Sequence, residues 1–166
     1  QPDFDVPENV KEATLRAVRD GHNGYTVTRG LPALRERISQ QLDEEFGWDP
    51  DVFVTSGVSG GLMLAMLACV NPGDEVIFGD PYFVSYPYLV QLAGGTPKPV
   101  SLYDDFQLNP DRIAEAITPR TRAIIPVHLY GHPAEMNSIL ELARAAEITV
   151  IEDAAQAHGA EYGGRR

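Results

Sequence analysis

Five short runs rich in β-branched and apolar residues recur along the chain: "VFVTS" at 52–56, "EVIFGD" at 75–80, "TPKPVSL" at 96–102, "RAIIPVHL" at 122–129 and "TVIEDA" at 149–154. Segments of helical character separate most of them. This alternation leaves few architectures open, because neighbouring parallel strands need a long crossover to bring the chain back to the same end of the sheet, and a helix serves best. The fold class is therefore α/β, a mostly parallel sheet with flanking helices. The run at 96–102 is the weak one: Pro97 and Pro99 lack an N–H, so it belongs at a sheet edge or is irregular.

Ahead of these runs, Pro7 or Glu8 opens a helix that closes at Gly21, and Pro32 opens a second that closes at Gly47. Residues 1–48 accordingly read as an N-terminal helical arm and 49–166 as the α/β domain. A chain of 166 residues that is 43% apolar has the size of one domain and can bury a core. Its formal charge of -11 repels phosphate backbones and anionic lipid surfaces, which excludes nucleic acid and membrane as partners. Cys69, the single cysteine, lies in an apolar helix-like run and reads as a core residue of a reduced, cytoplasmic protein. The longest apolar stretch, "GLMLAMLACV", is far shorter than the roughly 20 residues of a spanning helix. The chain opens at "QPDFDVPENV" without a methionine and stops at "EYGGRR" without a closing element, so a fragment of a longer protein is expected.

Ligands of open α/β sheets sit beyond the carboxyl ends of the strands, and three such places carry chemistry here. After the first run, "TSGVSGGLMLA" is a glycine-rich turn entering a helix. Its outward N–H groups and the helix dipole suit a phosphate, with Gly57, Val58 and Ser59 as the cradle and the Ser59 hydroxyl as a further donor. The alternative is a capped helix start, with Ser56 or Ser59 bonded to its own first turn. Neither a Walker motif nor G-x-G-x-x-G is present. After the second run, Tyr82, Phe83, Tyr86 and Tyr88 crowd a helix entrance, where one ring could lie flat on a planar ligand or all could be core and interface. The last run ends in "VIEDAAQAH", which places Asp153 where a buried strand should simply stop. That carboxylate could pair with a protonated ring nitrogen, hold a metal, or be a structural acid satisfied by backbone N–H groups. His128 and His132 are the nearest candidate metal ligands, but the loop residues Tyr130, Gly131 and Pro133 keep them off one helical face.

The segments "PDFDVPENVKEA", "GYTVTRGLPALRERI", "VTSGVSGGLMLAML", "NPGDEVIFGDPYFVSYPYLVQLAGG" and "ITPRTRAII" resemble class I and II aminotransferases, fold-type I enzymes that use pyridoxal phosphate (PLP). That resemblance covers residues 1 to about 125. From about 118 to 166, "IIPVHLYGHPAEMNSILELA" and "VIEDAAQAHGAEYGGRR" are similar instead to the DegT-type sugar aminotransferases, which share the fold and cofactor. The pattern looks like a splice of two relatives.

Carried over residue by residue, the resemblance assigns Gly57, Val58 and Ser59 to the cofactor phosphate and Phe83 to stacking on the pyridine ring. It gives Asp153 to the ring nitrogen and Gln156, in an Asp-x-x-Gln spacing, to the neighbourhood of the ring oxygen. Tyr25 of "GYTVTRG" matches a tyrosine that reaches the phosphate of the neighbouring subunit, which implies a homodimer. His158 either supports the site or packs. The family also needs a lysine that holds the cofactor covalently, and neither Lys11 nor Lys98, the two lysines of the sequence, matches its position; both read as solvated surface lysines. By resemblance two later strands lie between the 52–56 run and the other strands, and a small C-terminal domain follows. The implied function is transfer of an amino group between an amino acid and a 2-oxo acid or keto sugar, with a non-catalytic PLP- or phosphate-binding module or a truncated scaffold as the alternative.

Overall fold

The computed structural model describes residues 4–164. Residues 1–3 and 165–166, which the expected domain limits and the quoted terminal motifs include, lie outside the described residues. The chain divides into two compact units, one running to Val54 and the other starting at Thr55.

The first unit holds two helices, α1 (Glu8–Arg19) and α2 (Pro32–Phe46). Both expected breakpoints hold: the chain turns at Gly21 with positive φ, and Gly47 caps α2 in the left-handed conformation. Pro32 sits in the first turn of α2, where its missing N–H costs nothing. The run at 52–56, expected to be a strand, is not one. A strand exists only by exchanging ladder bonds with a neighbour, and here the backbone meets loop and side chain instead: the Val54 N–H donates to Arg29 O at 3.1 Å and Arg35 Nε donates to Val52 O at 2.7 Å. Arg29 also pairs with Asp51.

The second unit is a four-stranded parallel sheet in the order β2-β1-β3-β4, with β1 (Glu75–Asp80), β2 (Thr96–Ser101), β3 (Thr121–Ile125) and β4 (Thr149–Val150). All pairs are parallel, and Ile77 of β1 stands opposite both Lys98 and Ile124. Side chains alternate faces along each strand, so the apolar runs feed two cores. Ile77 and Ile124 join Ile113 of α5 (Pro110–Ala116) and Ile139 of α6 (Met136–Ala145) on one face. Val76, Phe78, Ala123 and Ile125 join Leu62 and Met66 of α3 (Gly57–Cys69) and Tyr86 and Val90 of α4 (Ser85–Leu92) on the other. The unit is thus helices, sheet, helices in three layers. β2 is an edge strand, as its prolines require.

The amino end of the sheet is fixed by a buried acid. Glu75 accepts from Thr118 Oγ1 at 2.6 Å, Arg120 at 2.6 Å and Lys98 Nζ at 3.0 Å. Lys98 is therefore half-buried in an ion pair rather than a solvated surface lysine. Lys11 of α1 is half-buried and paired with Asp5 and Glu8. Among the described residues no helix is long and apolar enough to cross a membrane.

Candidate functional site

A cavity of about 490 Å³ opens at the carboxyl end of the sheet, where a parallel sheet splays its strand ends and loops apart. Six of the seven residues singled out in the sequence line it: Gly57, Val58, Ser59, Phe83, Asp153 and Gln156. The seventh, Tyr25, belongs to the unit that ends at Val54 and is fully exposed there. His158 is exposed and not part of the lining.

Helix α3 begins at Gly57, whose φ of 68° turns the chain sharply into the helix. Thr55 Oγ1 donates to the Gly57 carbonyl at 2.9 Å, and no side chain caps the first turn. The capped start that Ser56 or Ser59 could have made is thus not formed. The N–H groups of Val58 and Ser59 lie in the first turn and have no acceptor within the helix, and both residues line the cavity at the positive end of the helix dipole.

Asp153 is 7% exposed. Its main chain is clamped to the end of β3: the Asp153 N–H donates to Pro126 O at 2.9 Å, and its carbonyl accepts from the His128 N–H at 3.1 Å. Its carboxylate takes one donor per oxygen, the Tyr86 hydroxyl on Oδ2 at 2.6 Å and the Ala155 N–H on Oδ1 at 3.1 Å. A carboxylate offers about four lone-pair sites, so capacity remains for a donor in the cavity. Burial, and then the adjacent Asp153 carboxylate, push the Tyr86 phenol far above its ordinary value, which keeps it a donor. The sequence ranked Tyr86 only as one of four aromatics; its partner is 67 residues away, and no local signal announces the pair. Of the other three, Tyr82 and Phe83 also line the cavity, whereas Tyr88 does not. Phe83 is 52% exposed and meets Tyr86 edge-on, with ring centroids 5.8 Å apart.

Gln156 Oε1 accepts from the Tyr130 N–H at 3.0 Å. The acceptor end of the amide is thereby engaged, and its NH₂ is the end that a ligand in the cavity meets. His128 is committed to structure: Nδ1 accepts from the Ala134 N–H at 3.0 Å, so Nε2 carries the proton and donates to Glu152 Oε2 at 3.1 Å. That bond holds the Glu152 carboxyl below its usual range. Neither ring nitrogen is left to ligate a metal. Lys98 cannot serve the cavity either, because its ammonium is held at Glu75 on the opposite end of the sheet.

These donors and acceptors fit PLP. Uncapped amides match a phosphate, an exposed ring at the wall matches a pyridine face, an anionic acceptor matches a protonated ring nitrogen, and an amide NH₂ matches a phenolate oxygen. The volume lies within the range of small-ligand sites.

The parallel three-layer unit with its cavity at the strand ends has the architecture of fold-type I aminotransferases. N-succinyldiaminopimelate aminotransferase from Mycobacterium tuberculosis superposes with a TM-score of 0.84 at 35% identity, over 92% of this chain and 43% of that one. The chain belongs to the DegT/DnrJ/EryC1/StrS aminotransferase family, whose model matches residues 9–166. Enzymes of this family depend on PLP. The dTDP-3-amino-3,4,6-trideoxy-alpha-D-glucose transaminase of Streptomyces venezuelae is 47% identical over 160 residues, covering 92% of this chain and 41% of its own length. The aspartate/prephenate aminotransferase of Cereibacter sphaeroides is 39% identical over 166 residues, with the same two coverages of 92% and 41%. Sugar-type and aspartate-type likenesses therefore both run through nearly the whole chain, which spans about two-fifths of the length of these relatives.

Proposed function

We propose that this chain is the cofactor-binding part of a PLP-dependent aminotransferase that moves an amino group between an amino acid and a 2-oxo acid or keto sugar. The observation that carries this is the meeting, in one cavity, of an uncapped helix start, an exposed phenylalanine ring and a buried carboxylate. PLP, when bound, supplies an electron sink for the carbanion formed as an amino acid loses its α-proton. Val58 and Ser59 donate to the phosphate, while Gly57, whose own N–H is given to Thr55 O at 2.9 Å, supplies the turn that presents them. Phe83 covers one face of the ring, and Gln156 donates to the ring oxygen. Asp153 keeps the ring nitrogen protonated by stabilising its charged form.

Residues 1–48 form the helical arm and 49–166 the PLP-binding domain of a cytoplasmic homodimer, in which the exposed Tyr25 reaches the phosphate bound by the partner subunit. Because Lys98 is tied to Glu75, this chain holds PLP without covalent capture. PLP titration of the purified chain, followed by visible absorbance, tests the assignment. Saturable binding that weakens at least tenfold in Asp153→Asn, the loss expected for one charged hydrogen bond, supports it; equal affinity in wild type and variant overturns it. Borohydride reduction with mass spectrometry then separates non-covalent from covalent binding, since a single adduct on one lysine would refute the first.

A further inference from the structure

Asp153 must aim a carboxylate at the cavity, yet carboxylate torsions are broad and nothing in the backbone alone fixes the plane of the group. The Ala155 N–H holds Oδ1 from the same loop. The second tether comes from elsewhere in the fold, the Tyr86 hydroxyl on α4. Tyr86 is buried, and its ring is wedged edge-on between Phe78, at 5.7 Å and 63°, and Phe83, at 5.8 Å and 72°. It therefore has little freedom to follow the carboxylate; the carboxylate must follow it.

We infer that Tyr86 is a positioning residue for the ring-nitrogen contact: its rigid phenol occupies one lone pair of Oδ2 and fixes the plane of the Asp153 carboxylate toward a protonated heteroaromatic nitrogen in the cavity. The same ring also buttresses Phe83, so one side chain sets both the polar contact and the stacking wall. This rests on the PLP assignment above.

Tyr86→Phe tests it, because it deletes the hydroxyl while keeping the ring that packs on Phe78 and Phe83. A thermal melt of the variant reports on folding. The measurements are PLP affinity and the ¹⁵N chemical shift of PLP labelled in its pyridine ring, which reads protonation of that nitrogen directly. In Tyr86→Phe the affinity falls about tenfold, as for loss of one hydrogen bond to a charged group, and the pH at which the bound nitrogen loses its proton falls by about one unit. In an Asp153→Asn background the same change has no further effect on either quantity. Affinity within twofold of wild type with an unchanged or raised nitrogen titration overturns the inference, and so does an equal loss from Tyr86→Phe in both backgrounds, which marks a merely structural role. If wild type binds PLP and Asp153→Asn weakens it while Tyr86→Phe does not, only the role of Tyr86 fails. If wild type does not bind PLP, the cofactor assignment fails with it.

Discussion

Acid should dismantle the sheet from its amino end, and Glu75 is the group that senses it. This carboxylate is 4% exposed and takes donors from Thr118, Lys98 and Arg120. The Thr118 hydrogen bond first, with the hydrogen bonds of Lys98 and Arg120 and the charge of Lys98 together outweighing burial, pulls it down to about 2 from an ordinary 4.5. A folded value below the unfolded one means stabilisation that is complete above about pH 4.5 and is lost as pH falls toward 2. The full gap corresponds to at most about 3.5 kcal/mol at about 1.4 kcal/mol per pH unit. The Arg120 side chain is 71% exposed, so solvent screening brings the expected contribution to about 1–2 kcal/mol. Glu75→Gln keeps the size and removes the charge. Urea unfolding should then show wild type more stable than the variant by about 1–2 kcal/mol at neutral pH, with the difference shrinking below about pH 4.5. A difference that stays constant between neutral pH and pH 3, or grows on acidification, would refute the assignment of this acid sensitivity to Glu75.

Two further substitutions separate the cavity from the scaffold. Gly79→Ala would set a Cβ 2.2 Å from Leu102 Cδ2; Leu102 also lines the cavity, so the variant should lose about 1–3 kcal/mol in urea unfolding and bind PLP more weakly. Asn109→Ala removes the cap that accepts from the Asp111 and Arg112 N–H groups at 2.9 and 3.3 Å; it should cost about 1 kcal/mol and leave PLP affinity unchanged, because neither Asn109 nor any residue of α5 lines the cavity.

What the sequence disclosed and what it hid divide along the range of the interactions involved. The runs at 75–80 and 122–129 could be recognised because a strand covered on both faces must be apolar throughout, and Val76–Phe78 and Ala123–Ile125 supply both cores from consecutive residues. Pro97 and Pro99 announced an edge because a missing N–H is a property of the residue itself. The run at 52–56 has the same β-branched composition, yet strand identity depends on a partner, and its own composition cannot say whether one is there. Lys98 misled for the same reason: flanked by prolines it looks solvated, while its partner Glu75 is reached only once β1 and β2 are in register.

The site shows the same division more sharply. Phe83 and Asp153 lie far apart in the chain, but each follows or ends a run that pairs in the parallel sheet, which brings both to one edge, and Gly57 joins them through α3, packed on the same sheet. Motif resemblance could therefore find them without any knowledge of their contacts. Tyr86 ends no strand and has no motif spacing to Asp153; its hydroxyl meets the carboxylate only because Val90, one turn on, anchors α4 in the core beneath β1 and so fixes where that ring can lie. Residues placed by topology are legible from order along the chain. A residue placed by packing becomes legible only when the packing is seen, and the control it exerts on the carboxylate is accordingly the part of this site that calls for direct measurement.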